Sequence, residues 1–299
     1  MRDSKGGKMS VYDAIPVIGS NSDLGEGTLW DERIQKFLWV DVYKNLIKSY
    51  DPISNLISHQ QMPWNVSYIG KRTGSGFVVA SVRHIYLLNE KFEVEEEIDL
   101  NLDAKIENTN DGNIDHFGRL WIGTADVIEG NAKANLFHLD NNLIASVAKQ
   151  NVAISNGIDW SPDSKIMYYI DSPIKSIEKY EFDSTTNTLG ASLEPISLTN
   201  TPGVPDGMCT DNEGNLWVAI WGAGQVRNYS PVGELLNTIQ CPTALITCCS
   251  FGGPNLQTLF ITSAKTTFDP QFNFGSEMGG DCFRVDLPVS GKLDNELKR

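Results

Sequence analysis

Four short motifs place a carboxylate or carboxamide side chain beside a glycine, just ahead of an apolar, strand-like run. They are Glu26-Gly27, Asn110-Asp111-Gly112, Asn156-Gly157 and Asp206-Gly207. Oxygen-bearing side chains are the ligands that hard divalent cations prefer, but these four motifs lie far apart along the chain. They can act together only if the fold is circular and brings the start of each strand to one axis.

Together, the four side chains would form an all-oxygen cage of two carboxylates and two carboxamides. Its formal charge of about −2, and its lack of thiolate and imidazole, disfavour Zn²⁺ and favour Ca²⁺, Mg²⁺ or Mn²⁺. An incomplete protein shell would leave positions for water or a substrate oxygen, as in a catalytic site, whereas a closed shell would indicate a structural ion. We therefore expect one divalent cation as cofactor.

The elements that must position these residues are short β-rich runs separated by turns. One unit starts at Asn113, passes through a turn over 115–118 and continues with strands over 119–124 and 135–139. Similar units begin near residues 27, 66, 112, 157, 207 and 246. A period of about 40 to 50 residues with three or four strands is typical of propeller blades. An antiparallel β-sandwich has as many turns but predicts no such repeat.

The sequence thus predicts an all-β, six-bladed β-propeller. It assigns residues 1–10 to a flexible N-terminus and 11–299 to a single domain. The last unit ends near Asp286 with only three strands, while Val11 to Gly19 form a spare strand-like segment. Because an open sheet edge invites aggregation, we expect this N-terminal segment to supply the outer strand of the sixth blade.

Other interpretations of the conspicuous residues are weaker. Asn-Gly and Asp-Gly pairs also form hairpin turns, but each unit already has its hairpin turn about six residues later. The chain contains no nucleophile elbow, P-loop or dinucleotide fingerprint, and its four histidines fall in no metal or triad motif. Five tryptophans recur at equivalent places in the units and are expected in the core between blades: Trp30, Trp39, Trp121, Trp160 and Trp217. Trp221 could belong to that core or line the mouth of a substrate site.

Composition narrows the possible partners and location. The formal net charge of −14 over 299 residues argues against binding to nucleic acid or to an anionic membrane surface. The N-terminus has no apolar core of a secretory signal, and no stretch approaches the ~18 apolar residues of a membrane span. The five cysteines are an odd number in no framework spacing, so we expect reduced, mostly buried thiols. These features predict a cytoplasmic protein, expected to be a monomer.

An ordered set of motifs from about residue 24 to 285 resembles the senescence marker protein family, which includes regucalcin, gluconolactonases and luciferin-regenerating enzymes. The motifs are Leu24-Gly-Glu-Gly-x-x-Trp30-Asp, Asn110-Asp-Gly, Gly118-Arg-x-Trp-x-Gly-Thr124, Ser155-Asn-Gly-x-x-Trp160-Ser, Pro205-Asp-Gly-Met208, Glu213-Gly-Asn-Leu-Trp-Val-Ala219, Phe251-Gly-Gly-Pro and Thr262-Ser-Ala264. The resemblance implies a six-bladed propeller with a divalent cation on its axis, held by Glu26, Asn156 and Asp206. It also implies that Asp206 is the candidate general base and that Asn110 lies beside the metal or the substrate.

The chain departs from the family pattern where the substrate would lie. Asn108 stands where the vertebrate branch has a substrate-contacting arginine. The acidic residue expected after Gly-Thr is shifted, so that Ile128 takes its place and Glu129 is its neighbour. We expect Asn108 and Glu129 to contact substrate, but loss of the arginine argues against assuming the usual sugar lactone.

These observations predict a divalent-metal-dependent hydrolase that opens a small lactone, of gluconolactonase type. The cation would polarise the carbonyl, and a carboxylate or a metal-bound water would activate the attack. Two alternatives stay open: a non-catalytic, calcium-binding regulatory propeller, or hydrolysis of a phosphotriester or a luciferin derivative at the same site.

Overall fold

The computed structural model describes residues 9–103, 105–128, 131–183, 185 and 188–299. Its strands form six small sheets, each built on four successive antiparallel strands or on three such strands plus an N-terminal one, and these are the blades of a six-bladed β-propeller. The predicted fold is therefore confirmed. Of the segment 1–10, predicted to be flexible, residues 1–8 lie outside the described residues, and Ser10 already begins the first strand.

Blades one to three each contain four consecutive strands. In chain order these are β3 (Gly25–Asp31), β4 (Lys36–Asp41), β5 (Leu46–Asp51), β6 (Leu56–Gln61), β7 (Tyr68–Arg72), β8 (Phe77–Ser81), β9 (His84–Leu88), β10 (Val94–Asp99), β11 (Glu107–Ile114), β12 (Leu120–Asp126), β13 (Ala134–Leu139) and β14 (Ala145–Val152). The first strand of each blade is the innermost of these four, and its neighbours pair with it in sequence order.

Blades four and five also contain four consecutive strands each, and blade six contains three strands from the C-terminal part of the chain. They are β15 (Ser155–Trp160), β16 (Ile166–Asp171), β17 (Ser176–Asp183), β18 (Thr188–Ser197), β19 (Val204–Thr210), β20 (Leu216–Trp221), β21 (Gln225–Tyr229), β22 (Leu235–Gln240), β23 (Ile246–Gly252), β24 (Thr258–Ser263) and β25 (Cys282–Asp286). Short 3-10 helices lie at Ser172–Ile174, Thr266–Phe268 and Ser276–Met278. Among the residues just described, no helix is long and apolar enough to cross a bilayer.

The N-terminal segment closes the ring, as predicted. Strand β2 (Ile15–Val17) pairs antiparallel with β25, with Ile15 opposite Arg284 and Val17 opposite Cys282, and becomes the outer strand of blade six. Strand β1 (Ser10–Asp13), which the sequence did not separate from β2, pairs in parallel with β22 and extends blade five. The exposed edges of two neighbouring blades are thus covered by one segment.

The C-terminal segment makes a second closure that the sequence did not indicate. Gly291 bridges to Asp211, and strand β26 (Glu296–Leu297) pairs in parallel with the inner strand of blade two. Between these points, the Lys292 ammonium forms a 2.6 Å ion pair with Asp159 at the end of β15. These contacts lie at or beyond the C-terminal ends of several inner strands, so the segment covers one end of the central channel.

The recurring turns are stabilised by a buried aspartate. In blade five, Asp211 Oδ1 accepts backbone N–H bonds from two and four residues later, while Oδ2 accepts the indole N–H of Trp217 at 2.9 Å. In blade three, Asp115 makes the same contact with Trp121 at 3.1 Å. One carboxylate therefore fixes both the turn and the ring that follows it. The five tryptophans predicted for the core are all buried, at 0 to 2% exposure, in clusters that join adjacent blades.

Candidate active site

A β-bulge positions each of the four oxygen-bearing residues. The ladder between the first two strands of a blade shifts register between Glu26 and Leu29, between Thr109 and Gly112, between Asn156 and Ile158, and between Pro205 and Met208. A bulge bends its strand and re-aims the side chain beside it. The sequence had suggested that these residues lie in the loops before the inner strands. The structure places them within the strands.

The glycine in each motif has a steric reason. A Cβ atom at Gly157 would lie 2.7 Å from Met208 Cβ, and one at Gly207 would lie 2.6 Å from Cys248 Sγ. Both distances are shorter than non-bonded carbon contacts allow. Only glycine lets the bulged inner strands approach one another this closely around the axis, so the motif records crowding at the axis and not a hairpin turn.

The four side chains face one cavity. Glu26, Asn110, Asn156 and Asp206 all line a pocket of about 620 Å³ that opens at the N-terminal ends of the inner strands. Asn156 and Asp206 are buried, at 6% and 7% exposure, whereas Glu26 and Asn110 are partly exposed. The fold thus gathers residues of four blades around one space.

A chain of hydrogen bonds orients the two carboxamides. Asn110 Nδ2 donates to Asn156 Oδ1 at 3.1 Å and to the carbonyl of Ser155 at 2.8 Å. Asn156 Nδ2 donates to Ser172 Oγ at 2.8 Å, and the Ser172 hydroxyl donates in turn to the carbonyl of Pro205 at 2.7 Å. Each amide nitrogen is thereby engaged, and the Asn156 oxygen keeps a lone pair for a further partner.

Ser172 is a site residue that sequence reasoning missed. It begins the 3-10 turn after β16, and it lines the same cavity as the residues that it orients. The only available signal was its place directly after β16, the strand that pairs with the strand of Asn156 in the same blade. A serine after a strand is too common to be singled out without the tertiary structure.

Two acidic side chains, Glu26 and Asp206, lie on this cavity. Burial raises the pKa of Glu26 well above its usual range, and the charges of Asp206 and Asp111 raise it further. Burial, followed by the charge of Asp111, likewise raises the pKa of Asp206. Among the described residues that line the cavity, there is no lysine, arginine or histidine. Like charges that are desolvated together favour either protonation or a bound cation.

Asp111 lies farther along the axis. It lines a smaller cavity of about 50 Å³, between the candidate site and the C-terminal segment, together with Thr28, Cys248 and Asp294. Burial raises the pKa of Asp111 to about 7. A third carboxylate therefore contributes to the negative potential along the axis, although it lies on a different cavity from Glu26 and Asp206.

The donor set fits a hard cation. Within the described part of the chain, no group of three or more His, Cys, Asp and Glu side chains is placed to hold a metal ion. The candidate set contains two carboxylates, Glu26 and Asp206, and relies on the carboxamide oxygen of Asn156 as a third protein donor. Oxygen-only coordination with few protein ligands suits Ca²⁺, Mg²⁺ or Mn²⁺ better than Zn²⁺.

The two residues expected to contact substrate are placed differently. Asn108 lies opposite Ala125 in the ladder of blade three; it is not among the lining residues of the cavity, and its Oδ1 is buried without a hydrogen-bond partner. Glu129 lies outside the described residues. The role of both residues stays a prediction.

The outer wall of the cavity consists of residues that the sequence did not single out, apart from Trp221. Tyr43, Phe268, Asp269 and Gln271 line it, and the Trp221 indole N–H donates to Asp269 Oδ2 at 3.0 Å. Trp221 therefore lies at the mouth, one of the two positions left open above. The five cysteines are all free thiols, and four of them are buried, as expected.

Comparison with known proteins agrees with this architecture. The sequence profile of the SMP-30/Gluconolactonase/LRE-like region matches residues 24–265. Human regucalcin is 31% identical over 92% of this chain and 95% of its own length. The 6-deoxy-6-sulfogluconolactonase of Pseudomonas putida is 33% identical over 92% of this chain and 95% of its own length.

A solved luciferin-regenerating enzyme superimposes with a TM-score of 0.88 at 30% identity, covering 96% of this chain and all of the other. A regucalcin from Agrobacterium tumefaciens superimposes with a TM-score of 0.89 at 23% identity and supports the fold alone. The matched profile spans most of the propeller and includes all four oxygen-bearing motifs. This chain therefore belongs to the SMP-30/gluconolactonase/luciferin-regenerating enzyme family.

Proposed function

We propose that this protein is a divalent-metal-dependent hydrolase that opens a small lactone. One observation carries the proposal: the partly exposed carboxylate of Glu26 and the buried carboxylate of Asp206 line a single cavity with the Asn156 carboxamide, and no cationic side chain among the described lining residues offsets them. The lactonase relatives support ester hydrolysis in general. The choice of Ca²⁺, Mg²⁺ or Mn²⁺ follows from the all-oxygen donor set.

Glu26, Asn156 and Asp206 would hold the cation. When bound, the cation supplies Lewis-acid polarisation of the ester carbonyl and stabilises negative charge on its oxygen. Asp206 would accept a proton from the attacking water, because its carboxylate lines the cavity in which the lactone binds. Asn110 lies at the edge of the same cavity with both Nδ2 protons donated to blade four, so its Oδ1 is the group that can accept a hydrogen bond from a hydroxyl of a bound lactone.

The direct test is hydrolysis of glucono-δ-lactone by purified protein treated with EDTA, followed by re-addition of Ca²⁺, Mg²⁺, Mn²⁺ or Zn²⁺. We expect activity to disappear with EDTA and to return with one of the first three ions. Asp206→Asn and Glu26→Gln should each lower kcat/KM at least ~100-fold. Turnover that is indifferent to EDTA, or full activity of Asp206→Asn, would remove the mechanism.

The same assay separates the alternatives. A regulatory propeller would bind calcium tightly, in a titration, without hydrolysing any lactone. A phosphotriesterase would leave the lactone intact and cleave paraoxon with the same metal dependence. Finding either pattern would replace lactone hydrolysis as the function of this site.

A further inference from the structure

The charged residues that line the cavity all have the same sign. Besides Glu26 and Asp206 they are Asp126, whose oxygens accept the backbone N–H groups of its own loop at residues 128 and 133, and Asp269 at the mouth. A divalent cation held by the first two carboxylates would leave the charge of Asp269 uncompensated. The described lining residues therefore offer an anionic substrate group no cationic partner.

The lysines nearest in sequence to the wall are already paired. Lys44, next to Tyr43, contacts Asp23 at 3.0 Å, and Lys265 contacts the same carboxylate at 2.5 Å. Lys44 also contacts Asp41 Oδ2 at 3.6 Å, so the two ammonium groups are matched by the two carboxylates of Asp23 and Asp41. Phosphate, sulfonate or carboxylate groups on a substrate thus meet a mouth whose unpaired charge is negative.

Two aromatic rings stand exposed at this mouth. Tyr43 and Phe268 are 59% and 43% exposed, and their rings stack on each other with centroids 4.9 Å apart and planes 12° apart. The ring of Trp221 and the side chain of Val204 continue the apolar wall. Aromatic surface left open to solvent at a cavity entrance is the surface that a flat apolar group would cover.

The wall is held in place by the segment over residues 265–281, which we call the rim segment. It connects β24 to β25 and carries Phe268 and Asp269. An added Cβ at Gly222 would lie 2.8 Å from the Phe272 ring, and one at Gly275 would lie 1.7 Å from the Pro242 carbonyl oxygen. The rim segment therefore packs closely on blade five and on the loop that follows it. The aromatic wall is therefore prearranged, which favours binding of a rigid, flat partner.

We infer that the mouth selects uncharged lactones that carry a flat apolar group and rejects anionic lactones, and that Tyr43, Phe268 and Asp269 determine this choice. The inference rests on the proposed lactone hydrolysis and names its substrate class. The apolar group lies against Tyr43 and Phe268, while the ester points to the carboxylates deeper in the cavity. Asp269 repels an anionic substituent at the entrance.

The first experiment measures the hydrolysis of two δ-lactones by the metal-loaded protein. 3-Isochromanone is a δ-lactone fused to a benzene ring, and δ-valerolactone lacks that ring. We expect kcat/KM to be at least tenfold higher for 3-isochromanone, and the ratio of the two values to fall about fivefold in Phe268→Ala and in Tyr43→Ala, mainly through KM. Phe117→Ala, which changes an exposed phenylalanine in a turn of blade three outside the cavity, should leave the ratio unchanged.

The second experiment compares lactones that differ in charge. The wild-type holoenzyme should prefer glucono-δ-lactone over 6-phosphoglucono-δ-lactone at least tenfold. Asp269→Asn removes a negative charge but keeps an oxygen acceptor for Trp221, so it should raise the ratio of phosphorylated to unphosphorylated substrate about fivefold. Raising the ionic strength should narrow the wild-type preference, because salt screens an exposed charge.

Thermal unfolding verifies that each variant is folded. If one of the two aromatic variants does not fold, the other still tests the inference. If the neutral sugar lactone is hydrolysed but the ratios do not respond to the substitutions, or the phosphorylated lactone is processed equally well, the inference is wrong and the hydrolase proposal stands. If none of the four lactones is hydrolysed with any cation, the proposed function fails and the inference fails with it.

Discussion

Asn156 and Ser172 are joined by a 2.8 Å hydrogen bond from the Asn156 Nδ2 group to the Ser172 hydroxyl oxygen. The same hydroxyl donates to the carbonyl of Pro205, the residue before Asp206. One serine thus connects the carboxamide of blade four to the strand that carries the carboxylate of blade five. This bond turns the Asn156 oxygen away from Ser172 and toward Asn110 and the cavity.

Replacing this serine should weaken metal binding. In Ser172→Ala, the Asn156 amide loses its acceptor and can rotate, so the affinity for Ca²⁺ or Mn²⁺ should fall about 10- to 100-fold. Titration calorimetry of the purified protein measures the change. Ser176→Ala removes another buried serine, four residues along and away from the cavity, and should keep the wild-type affinity. Equal affinities in both variants would show that Ser172 does not position Asn156.

Neutralising Asp206 should stabilise the metal-free protein at alkaline pH. The pKa of Asp206 is raised in the folded chain, so the folded state binds the proton more tightly than the unfolded state does. The stability of the fold therefore decreases as the pH rises above the pKa that Asp206 has in the unfolded chain. Asp206→Asn removes this loss. At pH 8 with EDTA, we expect a Tm at least ~2 °C above wild type, since about 1 kcal/mol shifts the Tm of a large domain by ~2–4 °C.

Added Ca²⁺ reverses this order. It should raise the Tm of wild type by mass action and leave Asp206→Asn unaffected, because the variant lacks one of the proposed ligands. Differential scanning calorimetry with and without the ion measures both effects. Asp13→Asn, an exposed aspartate on β1, should behave as wild type in each condition. A metal-free Asp206→Asn that melts below wild type would contradict the prediction.

The buried aspartate of the blade-five turn should contribute to stability and not to the chemistry. Asp211→Ala leaves the buried indole N–H of Trp217 and two turn amides without their acceptor, which should cost about 2–4 kcal/mol in urea unfolding. Asp163→Ala, in the corresponding turn of blade four, alters a carboxylate that is 60% exposed and should cost below about 1 kcal/mol. Similar losses in the two variants would be inconsistent with this assignment.

The C-terminal segment should make stability depend on pH through Asp294. Burial raises the pKa of this carboxyl from 3.8 to about 6, partly offset by Lys71. The folded chain therefore holds a proton that the unfolded chain has released between pH ~4 and ~6, and stability is lost as the pH rises through that window.

Asp294→Asn should remove this dependence. Between pH 4 and pH 7, the free energy of unfolding of the variant should rise by on the order of 2 kcal/mol relative to that of wild type, since each unit of pKa shift corresponds to about 1.4 kcal/mol. Urea unfolding at both pH values measures the gain. Asp286→Asn, an exposed residue at the end of β25, serves as control. A variant that tracks wild type across the range would contradict the buried-carboxyl assignment.

Much of the fold could be predicted because each blade is encoded by a recurring local pattern of strands and turns. Blades one, three, four and five place Asp or Ser at their first turn, every blade carries an aromatic ring on its second strand, and the spacing of these units fixes the number of blades. The N-terminal closure could be inferred because blade six lacked a strand and one strand-like segment was left over. The C-terminal closure could not, because β26 has only two residues and Lys292 pairs with Asp159, 133 positions away.

The candidate site was predicted in part for a related reason. An oxygen-bearing side chain beside glycine recurs in four of the six blades, so Glu26, Asn110, Asn156 and Asp206 could be grouped on sequence alone. That the glycines mark β-bulges crowded against the neighbouring blade was not visible, because the contact from Gly157 to Met208 depends on how the blades approach. Tyr43, Phe268 and Asp269 belong to no repeat and gave no signal.

Periodic patterns along the chain were enough to predict the number of blades, the four oxygen-bearing residues that line one cavity and the segment that closes the ring. The tertiary structure alone shows that Ser172 orients Asn156 and that Glu26 and Asp206 share one cavity with no cationic side chain among its described lining residues. It also reveals the aromatic, acidic mouth of that cavity. These features depend on contacts between residues on different strands and in different blades, and on the burial that raises the pKa of Glu26 and Asp206. Neither has a period in the sequence.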